Sequence, residues 1–142
     1  MKLLFLGDVV GKKGREIVLE NILSVKSKYS IDFIVVNAEN SAGGFGITEK
    51  FAKDLINKKV DVITCGDHCF DKSETKFFIN KYPQMLRPDN FPPQLPGVGF
   101  REYKASNGKK VLVIHLLAQL FMKYQVNCAF ERVSSILENY HI

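Results

Sequence analysis

The sequence predicts an α/β fold: a layered, largely parallel sheet with helices on both faces, carried by a single domain over residues 1–142. Two observations lead there. Short β-rich apolar runs alternate with segments whose apolar residues recur at helical spacing, and that alternation builds βαβ units with parallel strands. The chain also has ordinary single-domain length, with 46% hydrophobic and 25% charged residues, enough to bury a core without disulfide or metal staples.

Residues 3–6, Leu-Leu-Phe-Leu, read as a buried strand. Val18, Ile22, Val25 and Tyr29 then repeat every three or four positions, the stripe of an amphipathic helix. Residues 33–36 form a second β-rich run, and Phe51, Leu55 and Ile56 mark a second helix that the Thr48 hydroxyl is placed to cap. Residues 60–64 supply a third strand. Asp71 followed by Glu74 has the form of a capping pair and predicts a helix reaching residue 80. All five prolines fall within residues 83–97, which predicts a loop or extended crossing segment, since proline donates no backbone hydrogen bond. Residues 100–104 and 110–116 flank Ser106-Asn107-Gly108 and read as a hairpin. Phe130, Val133, Leu137 and Tyr140 restore helical spacing in the tail. Only His141 and Ile142 follow, where the alternating plan calls for another strand, so the chain is expected to lack a C-terminal portion.

The formal net charge is +5. Lys12-Lys13, Lys58-Lys59 and Lys109-Lys110 are scattered pairs that read as solvated surface, with at most a weak attraction for anionic substrates. No nucleic-acid motif occurs, so specific DNA binding is not expected. The opening apolar run is far too short for a signal core or a membrane span. Cys65, Cys69 and Cys128 are odd in number and imply free thiols in a reducing, cytoplasmic setting. Cys65 and Cys69 flank His68, yet no second Cys/His pair completes a zinc finger.

Ligands of an open α/β sheet bind beyond the carboxyl ends of its strands, so the loops after the three early strands carry the functional expectation. They read Gly7-Asp8-Val9-Val10-Gly11, Asn37-Ala38-Glu39-Asn40-Ser41-Ala42-Gly43-Gly44 and Cys65-Gly66-Asp67-His68. Together they bring three carboxylates, amide side chains and an imidazole to one edge, a donor set that suits hard or borderline divalent metals. Each residue also has a plainer reading: Asp8 as the cap of the next helix, Glu39 and Asn40 as polar turn residues, and His68 as a structural histidine. The Gly43-Gly44-Phe45-Gly46 segment lacks a phosphate-binding lysine motif and reads as backbone freedom at a tight loop. His115, late in an apolar strand, reads as a satisfied core or rim histidine.

Four segments carry a resemblance to a known family. They are residues 4–15 (LFLGDVVGKKGR), 36–48 (VNAENSAGGFGIT), 64–72 (TCGDHCFDK) and 86–93 (LRPDNFPP). In this order they resemble the YmdB family of bacterial metallophosphoesterases, within the calcineurin-like superfamily. The resemblance implies that Asp8 binds one metal, that Glu39 bridges two with Asn40 assisting, that Asp67 binds the second, and that His68 is the catalytic acid protonating the leaving oxygen. It implies a pair of divalent ions (iron, manganese or magnesium) and hydrolysis of cyclic nucleotides or related small-molecule phosphodiesters by attack of metal-bound hydroxide. A homo-oligomer is also implied. Two metals about 3.5–4 Å apart are suited to clamping a phosphate between them.

The chain departs from the family in three places. Gly66-Asp67-His68 stands where the family has Gly-Asn-His, which adds a negative charge. Residues 115–119, His-Leu-Leu-Ala-Gln, differ from an Asn-Leu-containing family segment. The family's three later metal-binding histidines have no counterpart in residues 116–142. The second metal site is therefore expected to be incomplete. The alternative reading is a truncated or degenerate relative that binds metal or nucleotide with little or no turnover. A regulatory protein acting through protein contacts is a third reading, and no motif supports it.

Overall fold

The computed structural model describes residues 1–120, 122 and 125–140. Four strands, β1 (Leu3–Leu6), β2 (Phe33–Asn37), β3 (Val62–Thr64) and β4 (Met85–Leu86), form one parallel sheet in sequential order. Helices α1 (Gly11–Tyr29) and α2 (Glu49–Asn57) make the crossovers between β1, β2 and β3. Strands that step always in one direction, joined by right-handed crossovers, place their helices on a single face. On that face Leu4, Leu6, Ile34, Val36, Ile63 and Met85 pack with Ile22 of α1 and with Phe51, Ala52 and Leu55 of α2.

The opposite face is apolar as well. Phe33, Val35, Val62 and Leu86 meet Tyr103, Val111 and Val113 of an antiparallel hairpin, β5 (Phe100–Lys104) and β6 (Lys110–Ile114). The expected parallel α/β sheet is present, but its second face is covered by a β-hairpin where a helical layer was expected. A final helix, α4 (Ala129–Glu138), is followed by Tyr140, whose hydroxyl donates to Glu102 of β5. Among the described residues no helix is long and apolar enough to cross a membrane.

The hairpin covers β2, β3 and β4 and leaves β1 bare. Residues 33–36 of β2 are therefore 0–4% exposed, whereas Leu3 is 48% and Phe5 59% exposed. The first strand is half-buried, and on one side only, a correction to its reading as a buried strand. Burying a large apolar side chain is worth about 1.5–3 kcal/mol, so β2 anchors the sheet far more firmly than β1 does.

The Thr48 cap is as expected: its hydroxyl oxygen accepts from the Phe51 amide at 3.3 Å. The Asp71–Glu74 capping pair is not. The helix there, α3 (Thr75–Phe78), is a single turn with no side-chain cap and passes into a 3-10 turn over Ile79–Lys81. The Asp71 carboxylate is engaged by His68 instead. The proline-rich stretch also holds more than a loop, since β4 lies between Pro83 and Pro88 and pairs in parallel with β3. It is only two residues long, because the Arg87 amide turns away from β3 to the Val98 carbonyl.

Candidate active site at the carboxyl edge of the sheet

Because β1, β2 and β3 run parallel, the loops that follow them emerge at one edge, and Asp8, Glu39 and Asp67 each lie just past a strand end. Backbone bonds lock the loops together. The Val9 amide donates to the Asn37 carbonyl at 3.1 Å, Gly11 to Asn40 at 3.1 Å, and Ala38 to Thr64 at 3.0 Å. The wholly buried Ser41 hydroxyl donates back to the Ala38 carbonyl at 2.7 Å and closes the second loop. Gly43, Gly44 and Gly46 all adopt positive φ, which accords with the reading of that segment as backbone freedom.

Asp8 does not cap α1, whose N-cap is Val10 with no side-chain bond. Its backbone is left-handed (φ 49°), a conformation that costs a non-glycine residue about 1 kcal/mol or more and that tends to persist where function requires it. Its carboxylate accepts from the Asn40 side-chain amide at 2.6 Å.

Glu39 is gripped more tightly. One carboxylate oxygen accepts from the Asn37 side-chain amide at 3.1 Å and the other from the His68 backbone amide at 3.4 Å. Burial pushes the Glu39 carboxyl above its ordinary value; the bond from Asn37 partly offsets this, and the neighbouring Asp67 carboxyl adds to it. Gly66 makes the position possible, because a Cβ there would fall inside the Glu39 carboxylate.

Asp67–Phe70 form a short 3-10 helix, which sets the geometry of His68. The ring Nδ1 lies 2.7 Å from a carboxylate oxygen of Asp71, and Nε2 lies 3.8 Å from one of Asp67. The Phe45 ring meets the imidazole edge-on, with centroids 5.0 Å apart and planes at 88°. The structure thus joins Asp8 to Asn40, and Glu39 to Asp67 and His68, with the Glu39-Asn40 peptide linking the two groups. Asp71 is the residue that sequence reasoning assigned elsewhere. Its signal was its place three positions after a histidine, since residues i and i+3 eclipse in a 3-10 turn.

The donor chemistry fits a hard divalent cation. Among the described residues, the buried side-chain oxygens of Asn37 and Asn40 accept no hydrogen bond, a costly state that a cation would relieve. Beside them stand carboxylates on three loops. Among the described residues, however, no three His, Cys, Asp or Glu side chains already stand together closely enough to hold a metal ion. The arrangement supplies part of a coordination shell. Cys65 and Cys69 are buried free thiols, and burial pushes the Cys69 thiol up, with Cys65 adding to the shift.

Other buried polar groups lie behind the site. His115 is not the satisfied histidine expected: its Nε2 has no partner among the described residues, and burial pushes its pKa down to about 4, so the ring is neutral near pH 7. Arg87 is 5% exposed and donates to the Pro88 carbonyl, while its Nε is unpartnered. Asn90 is a structural clamp. Its amide donates to the carbonyls of Leu117 and Asn127, and its oxygen accepts from the Leu117 amide.

The model of the YmdB-like protein family matches residues 4–142. A 2′,3′-cyclic-nucleotide 2′-phosphodiesterase of Bacillus subtilis (strain 168) is 45% identical over 122 residues, covering 86% of this chain and 46% of that protein. A solved structure of a hypothetical protein from Thermus thermophilus superposes with a TM-score of 0.89 at 28% identity, covering 99% of this chain and 54% of the other. A novel phosphatase from Mycoplasma pneumoniae gives a TM-score of 0.87 at 30% identity, with coverage of 99% and 52%. The chain spans about half the length of the relatives it matches. Sequence motifs, strand-end loops and overall fold agree, and the chain belongs to the YmdB-like family.

Proposed function

We propose that these residues form the cation-binding part of a metal-dependent phosphodiesterase site acting on cyclic nucleotides or related small phosphodiesters. The observation that carries the reading is Glu39, a carboxylate that Gly66 admits between two loops, facing Asp67 and tied to the His68 backbone. Asp8 and Asn40 are assigned to one divalent cation and Asp67 to a second, with Glu39 between them. Bound cations would neutralise phosphate charge and activate water. The protein's own residues do the rest. Asn37 and the His68 amide hold the Glu39 carboxylate in place, Asn40 orients Asp8, and His68 donates a proton to the leaving oxygen. The reading treats residues 1–142 as one domain.

The test is hydrolysis of bis(p-nitrophenyl) phosphate and a 2′,3′-cyclic nucleotide with manganese or iron. Turnover is expected to be slow, because the described residues provide only part of a shell. With the cyclic nucleotide, whose leaving oxygen is basic, it is expected to fall about 10²- to 10⁴-fold in His68→Ala, the range for loss of a general acid, and with the nitrophenyl ester by less. Turnover unchanged by that substitution contradicts the assignment. The same partial shell favours a second reading, cation or nucleotide binding without turnover. Manganese binding by calorimetry with no hydrolysis of either substrate would select it.

A further inference from the structure

We propose that Asp71 is a positioning residue. Its carboxylate takes the Nδ1 side of the His68 ring and thereby presents Nε2 to the Asp67–Glu39 cluster. The inference rests on the reading of His68 as a proton donor and adds the group that decides which ring nitrogen does that work.

The geometry assigns the two nitrogens different tasks. Nδ1 lies 2.7 Å from the Asp71 carboxylate, while Nε2 lies 3.8 Å from that of Asp67, outside hydrogen-bond distance. An ionised carboxylate only accepts, so the hydrogen in the short contact sits on Nδ1. In the neutral ring Nε2 then carries the lone pair. In the protonated ring it carries the second N–H. In both forms the same atom faces the carboxylates of the site.

Among the described residues, no other group makes that choice. Phe45 meets the imidazole edge-on and limits its tilt, but an aromatic edge does not distinguish one ring nitrogen from the other. The His68 backbone amide is tied to Glu39, which fixes the main chain and leaves the ring free to flip about its last torsion. Asp71 removes that freedom at little entropic cost. Its own amide donates to the His68 carbonyl at 3.2 Å, so the turn places the carboxylate before any side chain has to be ordered. A capping role for Asp71 is ruled out by the helix that follows, whose N-cap is Glu74 and which receives no side-chain cap.

Nitrogen NMR of the imidazoles in the metal-free chain, recorded at mildly alkaline pH, tests the proposal directly. His68 is expected to carry its hydrogen on Nδ1. In Asp71→Ala the hydrogen should redistribute toward Nε2, while Asp71→Asn, whose amide oxygen still accepts, should restore part of the Nδ1–H form. An unchanged His115 signal shows that each variant is folded. A wild-type His68 with its hydrogen on Nε2, or an Asp71→Ala variant whose His68 tautomer does not change, overturns the proposal.

Turnover with manganese gives the second readout. A misaligned proton donor matters most when the leaving group is basic. Asp71→Ala should therefore slow an unsubstituted phenyl phosphodiester at least about tenfold more than its nitrophenyl counterpart. Equal losses on both substrates would reduce Asp71 to a structural residue and overturn the proposal. If His68→Ala leaves both rates untouched, it is the phosphodiesterase reading that fails, and the tautomer result separates the two outcomes.

Discussion

Asp8 stands at the end of β1, a strand with one neighbour and a bare outer face, whereas Glu39 and Asp67 stand at the ends of β2 and β3, buried on both sides. The two halves of the candidate site are held accordingly. On the β1 side a single contact among the described residues, from the Asn40 amide, aims the Asp8 carboxylate. On the other side Asn37, the His68 amide and the close approach of Gly66 hold Glu39, while Asp71 holds the His68 ring. The Glu39–Asp67–His68 half is fixed before any cation arrives. The Asp8–Asn40 half depends on a sheet edge that nothing among the described residues covers. Losses should therefore be larger on the first half than on the second.

The largest difference lies in the strands themselves. Phe33→Ala is expected to destabilise the fold by about 3–5 kcal/mol, the range for deleting a core aromatic. Phe5→Ala, on the bare face of β1, should stay within about 0.5 kcal/mol. Urea unfolding of both variants checks this, and comparable losses would mean that β1 is as buried as β2.

Gly66→Ala should come next. The new methyl group displaces the Glu39 carboxylate, and cation affinity should fall by about 100-fold, the upper end for loss of a supporting group. Manganese calorimetry that shows no change would separate the cation site from Glu39. Asp67→Asn removes a charge, so affinity should fall about tenfold. Equal or tighter binding would show that Asp67 acts through geometry rather than charge. Asn40→Ala, on the loosely held half, should weaken binding by less than either.

Acidity gives the smallest effect and the finest comparison. Burial raises the folded-state values of Glu39 and Asp61, so each favours the folded chain when protonated. That contribution is fully present below the unfolded value and is lost as pH rises through the raised folded one. Glu49 and Glu102, held below their ordinary values by Tyr82 and Tyr140, act in the opposite sense, so the comparison is with Glu39→Gln: the metal-free chain should lose melting temperature relative to that variant as pH climbs out of the carboxylate range. Saturating manganese should reverse the trend, because a cation prefers the ionised ligand. A melting profile indifferent to manganese at every pH would count against Glu39 as a ligand.

Much of this site was legible in the sequence, because local rules decide it. Alternating apolar runs set the parallel order, and parallel order puts every strand-end loop at one edge, so Asp8, Glu39, Asn40, Asp67 and His68 could be gathered without coordinates. What stayed hidden depends mostly on partners distant in the chain, and at Asp71 on the kind of turn that forms. Residues 3–6 look as apolar as residues 33–36, and only the reach of a hairpin that begins at Phe100, far beyond β2, makes one strand half-exposed and the other buried. Asp71 has the composition of a cap and serves the imidazole, because the same carboxylate can do either and the 3-10 turn decides. The segment around Arg87 and Asn90 was recognisable as a motif, but Asn90 finds its partners at Leu117 and Asn127, which no local pattern reveals.

Paramagnetic broadening by manganese tests the central claim most directly, since it locates the cation. Traces added to nitrogen-labelled chain should first erase the amide signals of Asp8, Glu39, Asn40, Asp67 and His68, while those of the β5–β6 hairpin persist. Broadening centred instead on surface carboxylates such as Glu16 and Asp54, with the three strand-end loops unaffected, would contradict the account.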